Sequence, residues 1–171
     1  FRIASMYGRL SKAIAYDSAR QEPTYERWGY GLKLGVGKNG DFVDLIFFKA
    51  HDLAASLSLG PELGVLPEEN VVTAIVASKK IMEHLLVSGE YAASAYTRNT
   101  TADKNETERG TLWNYLPGIY HSNSSSIYRH AFKTNLTYGA SAYTIQLGYE
   151  RIDPDYQTMG AYFFNNDLEN S

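Results

Sequence analysis

The chain has 171 residues and carries 16 Lys+Arg against 19 Asp+Glu, a formal charge of −3. That length fits about one domain, and a balance so near neutral offers no basic face for nucleic acid. Cysteine is absent, which excludes disulfides, thiolate metal sites and cysteine nucleophiles. No run approaches the roughly 18 apolar residues of a membrane helix. No basic start with an apolar core opens the chain, so a signal peptide is expected to be already removed or to lie outside this stretch. The 14 Tyr, 7 Phe and 2 Trp, beside 14 Gly and only 5 Pro, point to β structure.

In chain order, a mixed strand is expected over about Arg2 to Tyr16, then a polar connection over about 17–26. From Trp28 the alternation is plain. Trp28, Tyr30, Leu32, Leu34 and Val36 fall on one face; Gly29, Gly31, Lys33, Gly35 and Gly37 fall on the other. Lys38-Asn39-Gly40-Asp41 is hairpin chemistry, because both central residues tolerate positive φ. The return strand runs from Phe42 to about Ala50, with Val43, Leu45 and Phe47 on one face, while Asp44 and Lys49 frame Ile46 and Phe48. A short helix over Ala50–Leu59 is the one helical candidate, inside a long connection over 51–70. A second hairpin is expected from Val71–Ser78, a turn at Lys79-Lys80, and Leu85–Thr97, in which Leu85, Val87, Tyr91, Ala93 and Ala95 oppose Ser88, Glu90 and Ser94. After a connection over 98–127, a third hairpin runs Ile127–Tyr138, turns at Gly139-Ala140 and returns through Ser141–Ile152. A last connection covers 153–158, with an eighth strand expected around Met159–Phe164.

Short and long connections thus alternate. A meander places all the short ones at one end and all the long ones at the other, the asymmetry of an outer-membrane barrel. A sandwich has no physical reason to sort its loops so. Nine residues at roughly 3.3 Å rise and about 40° tilt cover about 23 Å, close to the apolar band of such barrels. The face bearing Lys33, Glu90, Lys133, Gln146 and Glu150 cannot form a dry core, since buried polar groups need partners. It suits a hydrated lumen, and these five residues are its expected lining. Tyr30, Tyr91, Tyr96, Tyr128, Tyr138, Tyr143 and Tyr149 fall mostly toward strand ends, where an aromatic girdle sits. The expected fold is therefore all-β: an antiparallel up-and-down transmembrane β-barrel, or part of one, over residues 1–171. The strand-like start at Phe1, the polar end and an odd count of fair strands suggest a partial barrel.

The stretch Tyr149-Glu150-Arg151-Ile152-Asp153-Pro154-Asp155-Tyr156, continuing through Gly160-Ala161-Tyr162 to Asn165-Asn166-Asp167, resembles a segment of large outer-membrane β-barrel proteins of the Bacteroidota. Phe42–Ala50, Pro67-Glu68-Glu69-Asn70 and Gly89–Arg98 resemble the same family, so the likeness spans about residues 25–170. It implies a bacterial outer-membrane location, the bilayer as partner, other outer-membrane proteins as further partners, and a pore, scaffold or envelope-complex role. Asp17-Ser18-Ala19 matches the phylum's short O-glycosylation pattern, although three residues recur by chance easily and a plain loop is the better account.

Chemistry is sparse. His51, His84, His121 and His130 lack the i,i+4 spacing of a helical metal site. Glu68, Glu69, Asp153 and Asp155 are carboxylates in loops, where oxygen ligands can hold Ca²⁺, but solvated acids are the plainer account; no metal and no cofactor is assigned. There is no Gly-x-Ser-x-Gly elbow and no phosphate loop, so no catalytic residue is assigned and the chain reads as non-enzymatic. Trp113, Tyr115 and Tyr120 form an aromatic cluster that either docks a partner or packs on its own wall. Sequons stand at Asn99, Asn105, Asn123 and Asn135; a bacterial barrel would carry no glycan there, whereas a eukaryotic secreted domain could. Two other functions stay open: a soluble β-sandwich or lipocalin-like domain binding a small apolar ligand, and a barrel enzyme acting on lipid.

Overall fold

Alternation from Trp28 onward builds the strand on which the sheet is organised, β2 (Glu26–Lys38). Two residues later the chain returns as β3 (Asp41–Leu53), with Gly40 at φ +85° and Gly37 at φ +93°, conformations that favour glycine. β1 (Arg2–Ser11) pairs with the other edge of β2. β4 (Glu69–Met82), β5 (Leu85–Thr97), β6 (Ser126–Gly139) and β7 (Thr144–Ile152) come next in order. Each strand is antiparallel to the one before, giving one up-and-down sheet, and the two-residue β8 (Glu169–Asn170) lies beside β7. The computed structural model describes residues 1–16, 23–38, 40–57, 64–103, 119–120 and 122–160, together with the backbone of Glu169–Asn170. Among these the sheet is not closed into a barrel: its order begins at β1 and ends at β8 without a pairing between them.

The strand ends joined by short connections, β2 to β3, β4 to β5 and β6 to β7, share one end of the sheet, and the strand ends joined by longer ones lie at the other. Several boundaries differ from expectation. β1 stops at Ser11 after a register shift between Arg9 and Ser11; beyond it Ile14 makes only a bridge to Thr24. Lys79 and Lys80 are strand residues, because pairing with Val87 and Leu86 carries β4 to Met82. Asp41 then takes the Lys79 ammonium at 2.9 Å and the Lys80 backbone N–H at 2.6 Å. The turn accordingly falls on Glu83-His84. Likewise Ala50 and His51 pair on both sides with β2 and β4, and Asp52 pairs with β2, so β3 outruns the expected helix. Only a 3-10 turn, Ala54–Ser56, forms after it. Lys49 shares the face of Phe47, not that of Ile46 and Phe48. Tyr143 lies in the last turn, its ring 6.3 Å from that of Tyr138. Residues 161–164 of the expected eighth strand lie outside the described residues, as do Ser18, Asn105, Trp113, Tyr115 and His121.

Glycines on the charged face allow close approach. A β-carbon on Gly35 would run into the Asp44 carboxylate, which sits between Arg2 and Lys33. Gly35→Val is therefore expected to lower stability by about 1–3 kcal/mol despite valine's better strand propensity, seen as a lower denaturant midpoint.

Candidate functional site

Register pairs carry each side chain's face across the whole sheet. One row reads Ile3, Leu34, Leu45, Ile75, Tyr91, Phe132. Toward the short turns the next rows are Val36, Val43, Ala77, Gly89, Thr134, Tyr149 and then Lys79, Val87, Leu136, Leu147. These side chains stand in the open: Leu34 is 43% exposed, Leu45 53%, Ile145 52% and Leu147 64%. No second layer of described residues stacks on them.

Toward the long connections the same face changes character. Tyr7, Tyr30, Lys49, Val71, Ala95 and Tyr128 form one row. Beyond it stand Trp28, His51, Glu69 and Thr97, with Tyr7 and Trp28 stacked at 5.3 Å. Here Tyr120 folds down onto Val71, Ala93 and Ala95, beside Phe47 and Tyr128. Its hydroxyl lies 2.7 Å from Thr97 Oγ1. Burial pushes this phenol up to about 12, against the pull of its hydroxyl partners Ser126 and Thr97. Of the two roles open to Tyr120, packing on its own sheet is the one observed. Lys49 donates to the Ile119 carbonyl and pairs with Glu69 beneath this cover. The Tyr positions are therefore more specific than a general girdle. Tyr30 and Tyr128 join Tyr7 on one rim, Tyr138 and Tyr143 mark the other end, Tyr91 sits mid-face, and Tyr96 lies on the opposite face.

That opposite face holds all five expected lining residues. Its central row is Arg2, Gly35, Asp44, Val76, Glu90, Lys133, Glu150. Lys33 lies in the next row toward the long connections and Gln146 two rows toward the short turns. Asp44 is clamped by Arg2 at 2.7 Å and by Lys33 at 2.8 Å; Lys133 reaches Glu150 at 3.3 Å. At the long-connection end Arg27 grips Asp52 through two bonds, at 2.6 and 2.9 Å, and Glu68 at 2.9 Å. Sequence pattern alone does not reveal this cluster, since Arg27 meets Asp52 only once β2 and β3 are in register and Glu68 returns to them across the connection after β3.

The segment after β7 also folds onto the charged face. Ser94 Oγ donates to the Gln157 carbonyl at 2.6 Å, and the Met159 N–H donates to Asn70 Oδ1 at 3.0 Å. Tyr156 and Met159 are buried; burial first, and then the charge of Glu90, push the Tyr156 phenol up to about 12. Of the acids expected in loops, Glu69 instead begins β4 and is held by Lys49, Glu68 is held by Arg27, and Asp153 accepts the His130 N–H at 2.9 Å. Among the described residues no three His, Asp or Glu side chains gather as a metal site, and His51 Nδ1 is buried without a hydrogen-bond partner. The chain matches no protein-family profile, no curated protein and no solved structure.

Arg27→Ala would strand the buried Asp52 carboxylate, so a loss of about 3–5 kcal/mol is expected, measured by denaturant unfolding. The Tyr120 and Tyr156 phenols should ionise late in a spectrophotometric titration. Their folded-state values lie above the usual 10.0, so the stability they contribute is present below pH 10 and is lost as pH climbs toward 12.

Proposed function

We propose that this chain is an outer-membrane β-barrel protein, or a segment of one, working without catalysis as a pore, a scaffold or a subunit of an envelope transport complex. The observation that supports this best is the uncovered apolar face, where Leu34, Leu45, Ile75 and Leu147 stand exposed. In water so broad an apolar surface would drive association. Facing acyl chains it needs no cover. From the Tyr30 row to Lys38 is about 26 Å along the strand, or about 20 Å of height at a tilt of about 40°, comparable with the about 25 Å band of such barrels.

The charged face supports the same reading. Its ions pair with each other across strands and suit a hydrated lumen better than a core. Backbone groups at an open sheet edge cannot be left unpaired in hydrocarbon, so the reading also requires that further strands, from this polypeptide or another outer-membrane protein, complete the ring. A resemblance to Bacteroidota barrel proteins over about residues 25–170 agrees with both the fold and the bilayer as partner. A soluble sandwich would need a second sheet over the apolar face, and none is present among the described residues.

The test is detergent dependence. The purified chain is expected to stay dispersed only in detergent or lipid, and a monomer stable in plain buffer would refute the reading. Leu34→Arg is expected to cost about 2–4 kcal/mol of stability in lipid if Leu34 faces mid-bilayer; an exposed leucine on a water-facing sheet would tolerate arginine with little change.

A further inference from the structure

The segment Asp153–Gly160 lies across the charged face, held by side chains that the strand pattern does not require there. Asn70 is fully buried on β4. Its amide nitrogen donates to Ser94 Oγ at 2.9 Å and to the Ala95 carbonyl at 3.0 Å, while its oxygen accepts the Met159 N–H. Ser94 in turn donates to the Gln157 carbonyl, and Gly160 lies against the Phe48 ring. A buried asparagine with both ends of its amide satisfied is expensive to disturb, so the segment is fixed in place.

Beside it is a cavity of about 220 Å³, lined by Glu90, Ala92, Ala131, Lys133, Glu150 and Ile152. Lys133 and Glu150 form an ion pair and cancel. Glu90 makes no ion pair among the described residues, so the cavity keeps one net negative charge. Its floor is two alanines, which leaves room.

We infer that Asp153–Gly160 is the constriction of a water-filled passage along the charged face, latched by Asn70, and that Glu90 is the residue that makes this passage favour cations. Lumen charge of one sign raises the local concentration of the opposite ion and biases permeation toward it. The narrower the gap, the less water screens that charge. This role rests on the barrel reading above and names which charge and which segment would govern what crosses.

The experiment has two arms that separate its failure from that of the barrel reading. In the first, the protein is extracted in detergent together with the strands that complete its ring and fused into planar bilayers, and the reversal potential is read in a KCl gradient. The wild type is expected to favour K⁺, and Glu90→Gln to lower the K⁺/Cl⁻ permeability ratio several-fold with conductance retained. A chain that inserts and conducts but whose ratio is unmoved by Glu90→Gln overturns this inference alone; a chain that never conducts overturns the passage itself. In the second arm, hydrogen exchange at the Met159 amide is followed in detergent for Asn70→Ala and the milder Ser94→Ala. Both should exchange many-fold faster than wild type and raise single-channel conductance. Unchanged protection at Met159 in both variants would overturn the latch, whatever the membrane result.

Discussion

Everything in this structure depends on cross-strand register. Side chains on a strand alternate with a period of two, so a slip of one residue would carry a whole strand's set to the other face. Here such a slip would bring Asp44 into the row of Leu34, Leu45 and Ile75, away from Arg2 and Lys33. The register is pinned at both ends of the β2–β3 hairpin. Gly37 and Gly40 permit the two-residue turn, and at the far end Arg27 grips Asp52 across the pair. Between these pins the glycines leave room for Asp44 and its two cations. The ion pairs thus hold the strands in one alignment, a geometric role that does not require each exposed pair to stabilise by much.

The two ends of the sheet then diverge. At the short-turn end nothing folds back, and both faces stay bare among the described residues. At the other end each face acquires its own cover. Tyr120 and its neighbours lie over the apolar face, while Tyr156 to Gly160 lie over the charged one. The buried residues Val71, Ala93, Ala95, Asn70 and Ser94 all fall in this covered region. A single layer whose buried apolar side chains gather in the half nearer the long connections has little core of its own. The remaining apolar rows are left uncovered by the described residues.

Much of this is legible from alternation. The faces of β2 and of most of β7 can be read directly, because bulky and small or polar residues alternate there, whereas in β5 Leu86, Gly89 and Tyr96 break the alternation. Connection lengths also give the end-to-end asymmetry. Sequence reading fails where polarity mimics a turn. Lys79 and Lys80 look like loop residues, yet a strand end tolerates lysine when Asp41 faces it. It fails again at Ala50–Leu59, where strand pairing overrides a local preference for helix. The face of Lys49 is in fact given by period two, since it stands two residues after Phe47; what the sequence does not show is its partner, Glu69, in another strand. The covers themselves leave no local trace. Asn70 and Met159 are 89 residues apart, and a hydrogen bond across that distance has no period to detect.

The sequons show how one short pattern can carry two physical meanings. Asn99 Oδ1 accepts the Thr101 N–H at 2.9 Å, and Asn123 Oδ1 accepts the Ser125 N–H at 2.9 Å. Each is the Asx turn that an asparagine with a hydroxyl residue two positions on readily makes. Asn123 Nδ2, the atom a glycan would occupy, donates instead to the Asn99 carbonyl at 2.7 Å, in a buried side chain. The two triplets therefore fasten the bases of one long connection to each other. That connection carries Tyr120, and Tyr120 can seat on Val71 and Ala95 only if its loop leaves and rejoins the sheet at a fixed spacing. In this chain the Asn-x-Thr and Asn-x-Ser spacing at these two positions serves loop closure, and through it the cover over one end of the apolar face.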